Sequence, residues 1–143
     1  MNLSSTEKEA ILKQLQPKAH QQVFFSYVQY AEEVFSKSKQ IPVDRLQNFT
    51  LVTGIANANP LVEFLKQKRL DFEHLNFKDH HDFLAQDVKL LKTKSSIVTT
   101  EKDYMRLQKY SALQDKLFYL PITVKIVDSA TFDELIISFL KSY

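Results

Sequence analysis

Phe49-Thr50-Leu51-Val52-Thr53-Gly54-Ile55-Ala56-Asn57-Ala58-Asn59-Pro60 is the stretch that decides the fold. Phe49 to Thr53 is nearly continuously apolar, as a strand buried on both faces of a sheet should be. Gly54 ends the strand and permits a tight turn into a helix. Asn59-Pro60 then opens that helix, with Asn as cap and Pro at the first helical position. Leu61, Val62, Phe64 and Leu65 form its inward face. Buried strand, tight turn and helix together make the repeating unit of a parallel α/β sheet.

The alternation continues downstream. Asp71–Phe77 reads as a strand, followed by a helix that Asp82 can cap and that carries Leu84, Val88 and Leu91 at i, i+4 and i+7. Ser96–Thr99 is a further strand and Thr100–Tyr110 a short helix. Leu117–Leu120 is β-like, and Pro121 breaks it before the alternating segment Thr123–Val127. The last helix has a Thr131/Glu134 capping box and a stripe of Phe132, Leu135, Ile136, Phe139 and Leu140. Upstream, Leu3–Leu15 reads as a helix with a Thr6/Glu9 box. Val23–Val28 reads as a strand, Gln29–Phe35 as its ambiguous continuation, and Ser36–Asn48, which contains Pro42, as a loop. The expectation is a single α/β domain over residues 1–143: a three-layer α/β/α sandwich with a mainly parallel sheet.

Composition narrows the function. A net charge of +2 gives no argument for a nucleic-acid partner. The densest basic run, Lys66-Gln67-Lys68-Arg69, falls at a helix end, where cations complement the dipole. With no Cys, disulfides and thiolate metal sites are excluded. The apolar runs are too short for a membrane span, and Met1–Leu15 reads as a polar capped helix, not a signal peptide. These features predict a cytoplasmic chain. Glycine is the outlier: Gly54 is the single one, where average usage would give about ten. No phosphate-cradling loop of the P-loop or dinucleotide type can be built from one glycine.

Three clusters carry candidate chemistry. Phe77-Lys78-Asp79-His80-His81 ends a strand with a carboxylate beside two imidazoles, the natural proton shuttles near neutral pH. The same pattern also suits a helix start. Thr99-Thr100-Glu101-Lys102-Asp103 ends the next strand. Hydroxyl cap and acidic first turn explain most of it, but Lys102 opposes the helix dipole and so is suited to meet an anion or a carboxylate. The third is the Thr53–Pro60 turn, whose helix start offers free N–H groups to an anion, though ordinary turn chemistry explains it equally well. A metal set of His74, Asp79, His80 and His81 lacks any helix-borne His pair, and no Ser lies in a nucleophile-elbow turn.

Read in order, the clusters resemble the C-terminal half of the tetraacyldisaccharide 4′-kinase family. The matching motifs are Thr53-Gly54-Ile55-Ala56-Asn57, Phe77-Lys78-Asp79-His80-His81 and Thr99 to Asp103. Gln22-Val23-Phe24-Phe25-Ser26 and the Leu120-Pro121 step resemble members from the Bacteroides group. The chain departs at Ala58, where the family usually has Pro, and lacks the family's P-loop half.

The resemblance implies two α/β/α lobes around a cleft, joined partly by a β-ribbon. This chain would be the second lobe, with Gln29–Phe35 and Thr123–Val127 as ribbon candidates. It implies a parent enzyme that uses ATP and Mg²⁺, held mainly by the P-loop lobe, to phosphorylate the 4′-hydroxyl of a tetraacyldisaccharide 1-phosphate. The reaction would run at the cytoplasmic face of the inner membrane of a Gram-negative cell, in lipid A biosynthesis. His80 would be catalytic with an Asp from the other lobe, and Asp79 would stand beside it. Gly54, Asn57, His81, Thr100, Glu101, Lys102 and Asp103 would bind substrate or support the site. Partners would be the P-loop lobe, the lipid disaccharide and a peripheral membrane contact, without nucleic acid, resident cofactor or metal in this chain. Two other classes stay open. A manganese phosphoesterase of the D-H-H type would need a D-x-D motif, which is missing. The other is a non-enzymatic α/β binding module.

Overall fold

The structure, a computed structural model, describes residues 3–142. In chain order its elements are α1 (Ser5–Leu15), β1 (Ser26–Tyr30), β2 (Glu33–Phe35), β3 (Gln40–Pro42), β4 (Phe49–Thr53), α2 (Asn59–Gln67) and β5 (Phe72–Asn76). There follow α3 (Ala85–Lys92), β6 (Ile97–Thr100), α4 (Glu101–Leu107), β7 (Leu117–Leu120), β8 (Ile122–Ile126) and α5 (Ser129–Lys141). The chain divides into two compact units. One runs to Gln29 and resumes at Thr123; the other is Tyr30–Ile122.

The second unit is built on a six-stranded sheet in the order β3-β2-β7-β6-β4-β5. β7, β6, β4 and β5 are mutually parallel, and β2 runs antiparallel to both β7 and β3. Every residue of β4 is buried, as its continuous apolar run requires for a central strand. Alternation along the strands sorts the core into two layers. Phe49, Leu51, Val98, Phe118 and Leu120 pack with Leu61 and Leu65 of α2. Val52, Ile97 and Leu117 pack with Val88 and Leu91 of α3 and with Tyr104 and Leu107 of α4. Helices therefore cover both faces, and the α/β/α sandwich with a mainly parallel sheet holds.

The first unit holds α1, α5 and most of a two-stranded ribbon formed by β1 and β8. Phe24 meets Phe132 edge to face, with ring centroids 5.2 Å apart. The apolar stripe of α5 lies largely open, with Ile136 at 45% and Leu140 at 68% exposure.

Several sequence expectations need correction. The ribbon strand is Ser26–Tyr30, while Glu33–Phe35 of the proposed Gln29–Phe35 ribbon joins the main sheet. The polar Ser36–Asn48 stretch is not simply a loop. Gln40–Pro42 forms an edge strand on β2, where Pro is tolerated, and Val43–Arg45 makes one 3₁₀ turn. Four caps also shift. Ser4 with Glu7 makes the capping box of α1, in place of Thr6 with Glu9. Ala58 precedes α2, and Leu84 precedes α3 in place of Asp82. Asp128 begins α5 from a left-handed conformation without a side-chain cap, in place of the Thr131/Glu134 box.

Candidate functional site

Because β4, β5 and β6 are parallel, the loops that leave their carboxyl ends meet on one edge of the sheet. Backbone hydrogen bonds join these loops. Phe77 N–H donates to the Thr53 carbonyl at 2.7 Å, and His80 N–H to the Gly54 carbonyl at 3.2 Å. Beneath them lies Asp103, fully buried. Its Oδ2 accepts from Gly54 N–H at 2.7 Å and from the Thr100 hydroxyl at 3.0 Å. Thr100 in turn caps α4 by accepting from Asp103 N–H at 3.2 Å. A Cβ on Gly54 would lie 3.1 Å from Asp103 Oδ1 and 3.5 Å from the Lys78 carbonyl. Close approach of this carboxylate, and not a left-handed turn, is what the glycine serves; its φ is not positive.

Above this anchor stand Asp79, His80 and Lys102. Asp79 Oδ1 accepts from Lys102 Nζ at 3.2 Å and from His80 N–H at 2.9 Å. The Lys102 hydrogen bond, with smaller help from His80, outweighs partial desolvation and holds the Asp79 carboxyl below its ordinary value. The His80 ring stands apart from its backbone: Nε2 is 3.7 Å from Asp79 Oδ2 and the side chain is 76% exposed. His80 also adopts φ 57°, a left-handed conformation that costs a non-glycine residue about 1–2 kcal/mol.

His81 turns away from this group. Its Nε2 bonds Asp87 Oδ2 at 2.9 Å, and its ring stacks on Phe77 with centroids 4.6 Å apart. Asp87 also accepts from Leu84 N–H at 2.8 Å, so His81 belongs to the start of α3. Burial pushes the Asp87 carboxyl up, but the Leu84 and His81 bonds outweigh it and leave it lowered. Asn57 stays local: its side-chain oxygen accepts from Asn59 N–H at 3.1 Å. Glu101 and Lys102 edge a cavity of about 390 Å³ whose walls include Tyr30, Ile55, Leu61 and Ile122.

Sequence reading does not single out Arg106. Its Nη2 donates to the His80 carbonyl and to Asp82 Oδ1, both at 3.0 Å. Asp82 thus holds Arg106 instead of capping α3. The spacing of three residues from Asp103 is the signal that could have marked it. His74 lies on another face of β5, with its Nε2 2.8 Å from the Thr53 hydroxyl. Among the described residues no three His, Asp or Glu side chains gather in a metal-holding group.

Compared with known proteins, residues 2–141 match the tetraacyldisaccharide-1-P 4′-kinase family. The chain belongs to that family. A tetraacyldisaccharide 4′-kinase of Flavobacterium johnsoniae is 36% identical over 146 residues, covering 98% of this chain and 42% of the relative. The enzyme of the same name from Bacteroides thetaiotaomicron is 32% identical, covering 83% of this chain and 38% of its own length. Among solved structures, LpxK from Aquifex aeolicus, crystallised in its "apo" form in complex with ATP, superposes with a TM-score of 0.53. That match has 20% identity and covers 80% of this chain and 35% of the other, so it supports the fold. The chain spans about 40% of the length of the curated kinases it matches.

Proposed function

We propose that this chain is the second lobe of an ATP-dependent lipid kinase that phosphorylates the 4′-hydroxyl of a tetraacyldisaccharide 1-phosphate. The observation that carries the reading is the convergence of the three family motifs on one sheet edge, with the His80 ring presented outward from a pinned backbone. In this reading His80 orients and polarises an Asp of the other lobe, which accepts the sugar hydroxyl proton. Asp79 and Lys102 form the charged floor beside it. Phosphoryl transfer depends mostly on positioning and charge stabilisation, so a lobe that contributes one imidazole and a rigid edge is chemically sufficient.

ATP and Mg²⁺ belong to the other lobe. The residues of this chain do not fit a triphosphate cradle: the N–H of its one glycine already donates to Asp103, and no three His, Asp or Glu side chains gather in a metal-holding group among the described residues. In this reading the parent works on its lipid substrate at the cytoplasmic face of the inner membrane, as a peripheral enzyme. No helix among the described residues is long and apolar enough to cross a membrane.

The test is made in the full-length parent protein. His80→Ala lowers kcat by about 10²–10⁴-fold while KM for the lipid changes little, as loss of a proton-transfer partner requires. His81→Gln leaves kcat near wild type, because His81 is spent on Asp87 and Phe77. A crippling His81→Gln beside a mild His80→Ala reverses the assignment.

A further inference from the structure

We propose that Arg106 is a positioning residue that holds His80 in its working conformation. The proposal rests on His80 acting in catalysis as set out above. His80 is held at both backbone polar groups. Its N–H is shared between the Gly54 carbonyl and Asp79 Oδ1, and its carbonyl accepts from Arg106 Nη2 at 3.0 Å. The residue sits at φ 57°, which a histidine occupies only where its surroundings impose it. Yet the ring is 76% exposed, with Asp79 Oδ2 3.7 Å from its Nε2. The backbone is bonded at both polar groups while the imidazole faces outward, as expected of a group that must meet a partner at a fixed angle.

Arg106 supplies the bond of this set that comes from a cationic side chain, on α4. Its guanidinium is held on three sides. Nη2 reaches the His80 carbonyl and Asp82, the plane lies over Phe83 at 5.9 Å, and Nη1 faces the buried Asp103 at 3.8 Å. Asp103 Oδ1 and Arg106 Nη1 are both buried without a hydrogen-bond partner, so they compensate one another only as an ion pair. Through Arg106 the anchor at the ends of β4 and β6 is therefore connected to the loop after β5. A lysine cannot span these acceptors, because the planar fork is what reaches them together.

The experiment is a mutant cycle in the full-length parent. Arg106→Ala lowers kcat by about 10- to 100-fold, the size expected of a misplaced group, with KM for lipid and for ATP within about twofold of wild type. Arg106→Lys falls between wild type and Ala. The His80→Ala/Arg106→Ala double variant is no slower than His80→Ala alone, because Arg106 acts through His80. If Arg106→Ala fails to fold, Arg106→Lys carries the same cycle. An unchanged kcat for the Arg106 variant beside a slow His80→Ala overturns this inference and leaves the proposed function standing. A double variant slower by the product of the single factors also overturns it. A silent His80→Ala instead overturns the catalytic reading of His80, and the role of Arg106 with it.

Discussion

Gly54 illustrates how one atom's worth of space ties two strands together. The Asp103 carboxylate approaches where a side chain would begin, and it is fixed by two hydrogen bonds. Gly54→Ala therefore forces a pinned group to move, at a cost of about 1–3 kcal/mol, readable as a lower urea midpoint with unchanged slope. His74 gives a pH-dependent case. Burial, aided by the charge of Lys66, lowers its pKa below the ordinary 6.5. The unfolded chain then binds more protons below that value, so the His74 contribution is full above it and declines as the pH falls. Urea midpoints measured from about pH 7 down to about pH 5 should fall more for wild type than for His74→Gln. Equal slopes would show that His74 is not the source.

At the scale of elements, α3 depends on a carboxylate inside its own first turn. Leu84 has no side-chain acceptor, so Asp87 alone satisfies the Leu84 N–H, and the same oxygen holds His81. Asp87→Ala should cost about 1–2 kcal/mol, measured by chemical denaturation, because it releases both donors. The strands β4, β6 and β7 are legible in the sequence because their apolar runs are short, unbroken and bounded by Gly, Pro or polar residues. The caps are less legible: Ser4 and Thr6 both carry suitable oxygens with a Glu three residues on, and Asp82 carries one as well. Asp82 is drawn off by Arg106, a partner 24 residues away. Lys102 was readable as a cation suited to a carboxylate, since its position against the helix dipole has no local reason. Arg106 sits one turn further on, where a basic residue is ordinary, and its role appears only when the loop after β5 is placed beside it.

At the scale of the molecule, the proposed function assigns ATP to the other lobe, since one glycine cannot form a phosphate-cradling loop. By itself this chain should hydrolyse ATP no faster than a heat-denatured control, in an assay of released phosphate. Turnover above that control by a clean preparation would contradict the assignment of ATP to the other lobe. Val52 and Leu51 are adjacent in sequence, yet they pack into opposite layers of the core, so β4 is buried from both faces just before the Gly54 loop.

The backbone conformations of the turns bear on the disordered chain as much as on the folded one. Gln16, Asn48, Arg69, His80 and Asp128 all take left-handed backbone angles that proteins usually assign to glycine. Each adds a small folded-state cost, but a chain with one glycine also has fewer unfolded conformations to abandon. A smaller unfolded ensemble lowers the entropy lost on folding and so favours the folded state. Part of the stability of these turns therefore comes from what the unfolded polymer lacks.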